Sequence, residues 1–374
     1  MFKRARSTSP YILGGVKSEG NAKYLCYLFN RAGVYRRDEE CDPVVTMVAE
    51  EKYSTYIKDG LMYYNGSSTT PLDEYTALGD GEPFTYAQEG MFMRGTNFYQ
   101  AKGSTVAFSD NVLRATDITL DYISAAHSPS SSEAMYIIQE GDIYRYTNSY
   151  SFSRQTTTGD FIRVEGYTST NDSKNTRYAY AVNDKGELYY TSYTGNFTKI
   201  EGITVKDISR GQGYWYYNSS SISHSYCSCC LSEIGKVYVL EGTTPSQVTY
   251  QDSPTSGYIQ IGGYTQVIPT SSEYPKTALL LHENGKLYRL YQKTVKPLNG
   301  IENVTHIQPC KPANSYVYVV SNGNVYRNTT YDSISTEYPW ELIVGDIIGE
   351  PIYMGGTLGS STSTDLAMII TRVN

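Results

Sequence analysis

Few residues in this chain have types and spacing suited to chemistry. The densest set is Cys227-Ser228-Cys229-Cys230, with His224 three residues upstream. A structural zinc site draws two pairs of ligands from separate turns. Here Cys227 and Cys229 fall on one face of an expected strand and Cys230 on the other. Small thiols in such a strand are expected to fill a core. Of the other histidines, His282-Glu283 lacks the second His of a zinc-protease helix, His306 lies inside a strand-like phrase, and His127 has no nucleophile in a motif around it. The acidic groups Asp38-Glu39-Glu40-Asp42 and Asp80-Gly81-Glu82 do not match a calcium loop and are expected to be solvated. No glycine loop ends in Lys-Ser/Thr to cradle a phosphate. We therefore expect no catalytic residue, no metal and no cofactor.

The elements that carry these residues follow from composition. Charged residues are 18% of the 374 and hydrophobic ones 40%, values of a folded chain. A net charge of −7 argues against a nucleic-acid partner, which is bound by Lys and Arg neutralising phosphates. There are 39 Tyr against 9 Phe and 2 Trp, the choice of residue for strands with one face packed and the hydroxyl wet. No run reaches the ~18–20 apolar residues of a membrane span. The start, MFKRARSTSPYILGGVKSEG, has no apolar core of signal-peptide length. Six cysteines in so long a chain are no disulfide framework. The Asn-x-Ser/Thr triplets at Asn65, Asn196 and Asn303 read as turn chemistry.

One phrase is rewritten along the chain. Gly-x-(Leu/Ile/Val)-Tyr recurs at Gly141, Gly186, Gly235, Gly285 and Gly323, at intervals of 45, 49, 50 and 38 residues. An apolar run precedes each copy, as in ALLLHENGKLY. A turn residue and Gly between two strand-like runs marks a hairpin, because the turn needs positive φ. Degenerate copies sit at Gly33, Gly60 and Gly90. A second phrase trails the first (FIRVEGY, FTKIEGI, VKPLNGI), and after two of these a short strand follows: VKDIS and VTHIQ. The expected unit is an inner apolar strand, a Gly turn, a Tyr-bearing strand, a third strand and a fourth. That is the size of a β-propeller blade. The final DLAMIITRVN is expected to pair with N-terminal sequence and so remove an exposed sheet edge.

The later strand phrases resemble the RCC1-type propeller repeat, most clearly over residues 134–310. The Trp-Gly that follows Val-Tyr in that family is absent, as is its Gly-Gln-Leu-Gly segment, so its nucleotide-exchange activity is not carried over. In composition the chain is similar to propeller domains of tail proteins of short-tailed bacteriophages. The expectation is all-β: an arm over residues 1–20, then a single propeller over 21–374, of about seven blades within a range of six to eight.

The functional expectation is a structural or interaction protein without catalytic activity, a subunit of an assembly such as a phage tail or head–tail junction. Its place would then be the virion, and its partners other protein subunits. Contacts are expected from Tyr214, Trp215, Tyr216, Tyr217, Tyr331, Tyr338 and Trp340, since Tyr and Trp anchor interfaces. Lys3, Arg4 and Arg6 belong to a basic arm, either a loose terminus or one that orders on an acidic neighbour. A cytoplasmic RCC1-like adaptor and a carbohydrate-binding propeller with tyrosines stacked on a glycan are the alternatives.

Overall fold

The structure, a computed structural model, describes residues 23–30, 35–38, 46–49, 54–58, 61–65, 76–78, 84–88, 91–101, 111–118, 122–123, 135–146, 152–155, 159–169, 176–192, 196–209, 229–263, 277–291, 293–307, 317–328, 339–356 and 366–373. Among these residues there is no helix, and the strands form seven sheets. Most are four-stranded antiparallel meanders: residues 46–78, 84–115, 122–154 and 304–344 each make one. The 161–247 sheet has seven strands because Thr198–Ile208 ends one meander against Glu187–Ser192 and begins the next against Cys229–Ser232. In the 249–298 sheet, Thr249–Tyr250 adds in parallel to the outer strand Thr294–Leu298.

The seventh sheet joins the two ends of the chain. Lys23–Asn30 pairs antiparallel with Leu366–Val373 over eight residues, from Lys23 opposite Val373 to Asn30 opposite Leu366. Glu350–Gly356 and Tyr35–Asp38 flank that pair. The C-terminal strand thus pairs where the sequence placed it. Successive groups also meet through their first strands: 46–49 with 84–88, 122–123 with 161–169, 198–208 with 258–263, and on through 304–307 to 350–356. Radially repeated antiparallel sheets that meet at their first strands are the β-propeller layout.

The apolar runs are explained by what covers them. Along Thr277–His282, Ala278 and Leu280 enter a cluster with Val237 and Val239 of the preceding group and Tyr258 of their own first strand. Leu279 and Leu281 enter a cluster with Val304, Ile307 and Val319 of the following group. Both faces of the strand are therefore core, and the two-residue alternation of polarity disappears. Each such Leu contributes about 2 kcal/mol by leaving water. The same division recurs at Tyr318 and Val320 against Val319, and at Tyr180 and Val182 against Ala179 and Ala181.

The repeated glycine does two things at once. Gly235 ends a turn closed by Gly235 N donating to Ser232 O at 2.8 Å, and its φ of +74° suits a residue without Cβ. Its carbonyl accepts from Tyr258 N, 3.2 Å away, at the start of the next group's first strand. The four other copies do likewise: Phe161 N to Gly141 O (3.0 Å), and Val205 N to Gly186 O, Val304 N to Gly285 O and Ile347 N to Gly323 O (2.8 Å each). The phrase is a hairpin and an inter-blade bolt.

Two details correct the sequence reading. The apolar run is the second strand of its group, and the short phrase taken as a fourth strand (VKDIS, VTHIQ) is the first strand of the next. The reason is burial on both faces, which falls to the strand flanked by neighbouring sheets. The degenerate copies at Gly33 and Gly90 lie outside the described residues, and the strands that flank them pair as antiparallel hairpins, one between a third and a fourth strand and the other between a first and a second. In the 84–115 sheet the equivalent bolt is Ile118 N to Thr96 O at 2.9 Å.

Candidate functional site

The side chains with chemical potential serve the fold. Cys229 and Cys230 are buried in Cys229–Ser232 and point into different clusters, and burial raises the Cys230 thiol pKa. Cys227, His224 and His127 lie outside the described residues. Asn284 N donates to His282 Nδ1 at 3.1 Å, so Nε2 carries the proton and donates to Ser256 O at 2.8 Å. Both nitrogens are thus committed to backbone, and the ring packs edge-on against Tyr258. Among the described residues no group of three or more His, Cys, Asp or Glu is arranged to hold a metal.

A polar girdle follows the first strands, a feature absent from the sequence reading above. Six first strands carry an irregularity at one equivalent place, at Thr85, Ile162, Lys206, Ile259, Thr305 and Ile352. A bulge re-aims the side chain that follows it. The residue after the bulge repeatedly reaches a neighbouring group. Arg163 pairs with Asp207, both buried, with Glu165 Oε1 at 3.5 Å from Arg163 Nε. Gln260 Oε1 accepts from Ile307 N at 3.0 Å. His306, half-buried beside Glu350, has its pKa lowered to about 4 by desolvation, which the nearby carboxylate only partly opposes.

The two ends of the sheets differ. At one end lie the second-to-third-strand hairpins and the starts of the first strands; we call it the hairpin end. An exposed acid marks four of its turns: Glu140, Asp184, Glu233 and Glu283. There Glu187 accepts from Asn183 Nδ2 at 2.6 Å and faces Lys199 Nζ at 2.9 Å. The lysine first, and the amide second, hold its carboxyl down to about 2. At the other end, long segments join first to second and third to fourth strands: 170–175, 210–228, 264–276, 308–316, 329–338 and 357–365.

Tyr214, Trp215, Tyr216 and Tyr217 (in 210–228), and Tyr331 and Tyr338 (in 329–338), lie outside the described residues, as do Lys3, Arg4 and Arg6. The strands that those two segments connect nevertheless end at the same end of the sheets, opposite the hairpins. Trp340 begins the strand Trp340–Val344 at that end. Its ring is half-buried against the core that Leu279, Leu281 and Val319 share, beside Tyr326, and its Nε1 has no acceptor among the described residues.

Repeating four-strand sheets, a polar inner girdle and two unlike ends define a β-propeller. No family model and no curated protein matches the chain. It is similar to solved propellers at low identity. The Dos1 propeller is 10% identical, with a TM-score of 0.48 over 87% of this chain and 90% of that one. BamB from Moraxella catarrhalis is 8% identical, with a TM-score of 0.43 over 97% and 94%. BBS1N, in a structure with ARL6DN, is 8% identical, with a TM-score of 0.43 over 78% and 94%. No helix among the described residues is long and apolar enough to cross a membrane.

Proposed function

We propose that this propeller is a protein-interaction scaffold that binds neighbouring subunits through the end opposite its hairpins. The observation that carries this reading is the shared end of the two aromatic segments. Segment 210–228 holds four Tyr, one Trp and six Ser against one charged residue, Arg210. Tyr and Trp supply large rigid contact area at low entropy cost, and Ser and Asn supply adaptable hydrogen bonds, the composition of antibody binding loops. Segment 210–228 leads into Cys229–Ser232, a strand buried on both faces, which gives a stiff base under a variable contact surface. No catalytic step enters this mechanism.

The finer reading is a subunit of a virion, in a bacteriophage tail or head–tail junction. The Tyr/Ser/Thr/Asn-rich composition with few charges supports it. Mass spectrometry of purified particles from the source tests it directly: the chain present in stoichiometric amount supports the virion reading, and its absence removes it. The scaffold reading is tested separately by replacing Tyr214, Trp215 and Tyr216 with Ala and measuring association with the co-purifying proteins. Unchanged association would sink it. A glycan-array signal lost in the same variant would assign the surface to sugars.

A further inference from the structure

We propose that the basic N-terminal arm docks on the hairpin end of its own propeller. Lys23–Asn30 is the third strand of its sheet, and Lys23 lies opposite Val373, so the preceding residues leave the sheet at the hairpin end. Residues 1–20 carry Lys3, Arg4, Arg6 and Lys17 against Glu19, a net of +3, together with the apolar run Tyr11-Ile12-Leu13.

The surface there has the complementary character. Glu140, Asp184, Glu233 and Glu283 are exposed at its turns. Isoleucines stand out of the fold at the same end: Ile234 is 64% exposed, Ile259 and Ile348 42%, and Ile162 37%. Ile234 O accepts from Gly257 N at 3.0 Å, which places it beside the strand that bears Ile259. Ile348 is tied to the terminal sheet itself, since its N donates to Tyr27 Oη and its O accepts from Thr371 Oγ1. Exposed isoleucines at an end whose turns also carry exposed carboxylates, among lysines such as Lys286 that already pair with an acid, suit a segment that is both apolar and cationic. Twenty-two extended residues span up to roughly 70 Å, and tethering gives the arm an effective concentration at its own disc that a second copy matches only at high protein concentration. The inference stands apart from whatever binds at the opposite end.

The test uses the full chain with a photo-crosslinking residue in place of Leu13, prepared as an equal mixture of ordinary and isotopically heavy protein. Cross-links are expected on peptides carrying Ile234, Ile259 or Ile348, with both halves from one isotopic form. Reversing three tips (Glu140→Lys, Glu233→Lys, Glu283→Lys) should lower the yield about tenfold at low salt, the product of three exposed pairs. Cross-links only between light and heavy chains, cross-links at the opposite end, no cross-links, or a yield indifferent to the reversal would each overturn the proposal.

Discussion

The hairpin end and the opposite end differ in how much of their backbone is spoken for. At the hairpin end the turns are short, and five glycine carbonyls each accept from a backbone N–H in, or just before, the first strand of the next group. A change there is felt by two sheets. At the other end, segments of unequal length lead mostly into second strands that are already fixed by two buried faces. Insertions in such connections cost little, because loop-closure entropy grows slowly with length. The contrast assigns stability to the hairpin end and, on the proposed function, recognition to the other.

The largest effect should come from Gly235→Ala. A Cβ at this position would stand 2.5 Å from Tyr258 N and O, at a φ of +74°. We expect a loss of about 3 kcal/mol, read as a lowered urea midpoint with unchanged slope. A loss under about 1 kcal/mol would break the contrast.

Next is a pH dependence at the inner girdle. The folded state holds His306 at about 4, below its ordinary 6.5, so the unfolded chain takes up the proton first as pH falls. The stability tied to this ring is complete above about pH 6.5 and is lost as pH drops toward about 4, at most ~3 kcal/mol. His306→Gln should flatten the stability profile across that window; a profile identical to that of the unsubstituted chain would refute the assignment. Glu187 acts in the same direction at lower pH, its contribution present above the ordinary carboxylate range and fading toward pH 2.

A smaller loss is expected from Tyr258→Phe. Its hydroxyl donates to Pro254 O at 2.9 Å in a fully buried ring. Removing it should cost about 1 kcal/mol, measured in the same urea titration. The smallest stability change belongs to the other end. Replacing Tyr214, Trp215 and Tyr216 with Ala should move the unfolding free energy by less than about 0.5 kcal/mol, as surface positions do. The same variant should weaken partner binding at least about tenfold, measured by co-sedimentation or calorimetry. Comparable stability losses at the two ends would erase the distinction.

Much of the architecture could be read from the chain because each apolar run and each glycine turn repeats a local rule. The pairing of the C-terminal strand with Lys23–Asn30 followed from an unpaired apolar segment. The phase of the repeat did not follow. VKDIS and VTHIQ look like endings in the sequence, yet they begin the next sheet, because pairing partners are fixed by space and not by adjacency. The Arg163–Asp207 pair was hidden for the same reason: 44 positions separate the two residues, and only bulged neighbouring strands bring them together. Short tandem motifs such as Ile162-Arg163 and Lys206-Asp207 were the available signal.

By itself the sequence determined the element type, the hairpin chemistry and the burial of Cys229 and Cys230. These depend on φ, on two-residue alternation and on side-chain size, all of them local. Only the tertiary structure decided which strand lies between two cores, which carboxylate meets Arg163, and that both aromatic segments leave from one end. Those are relations between residues far apart in the chain, and they are fixed by how neighbouring sheets pack.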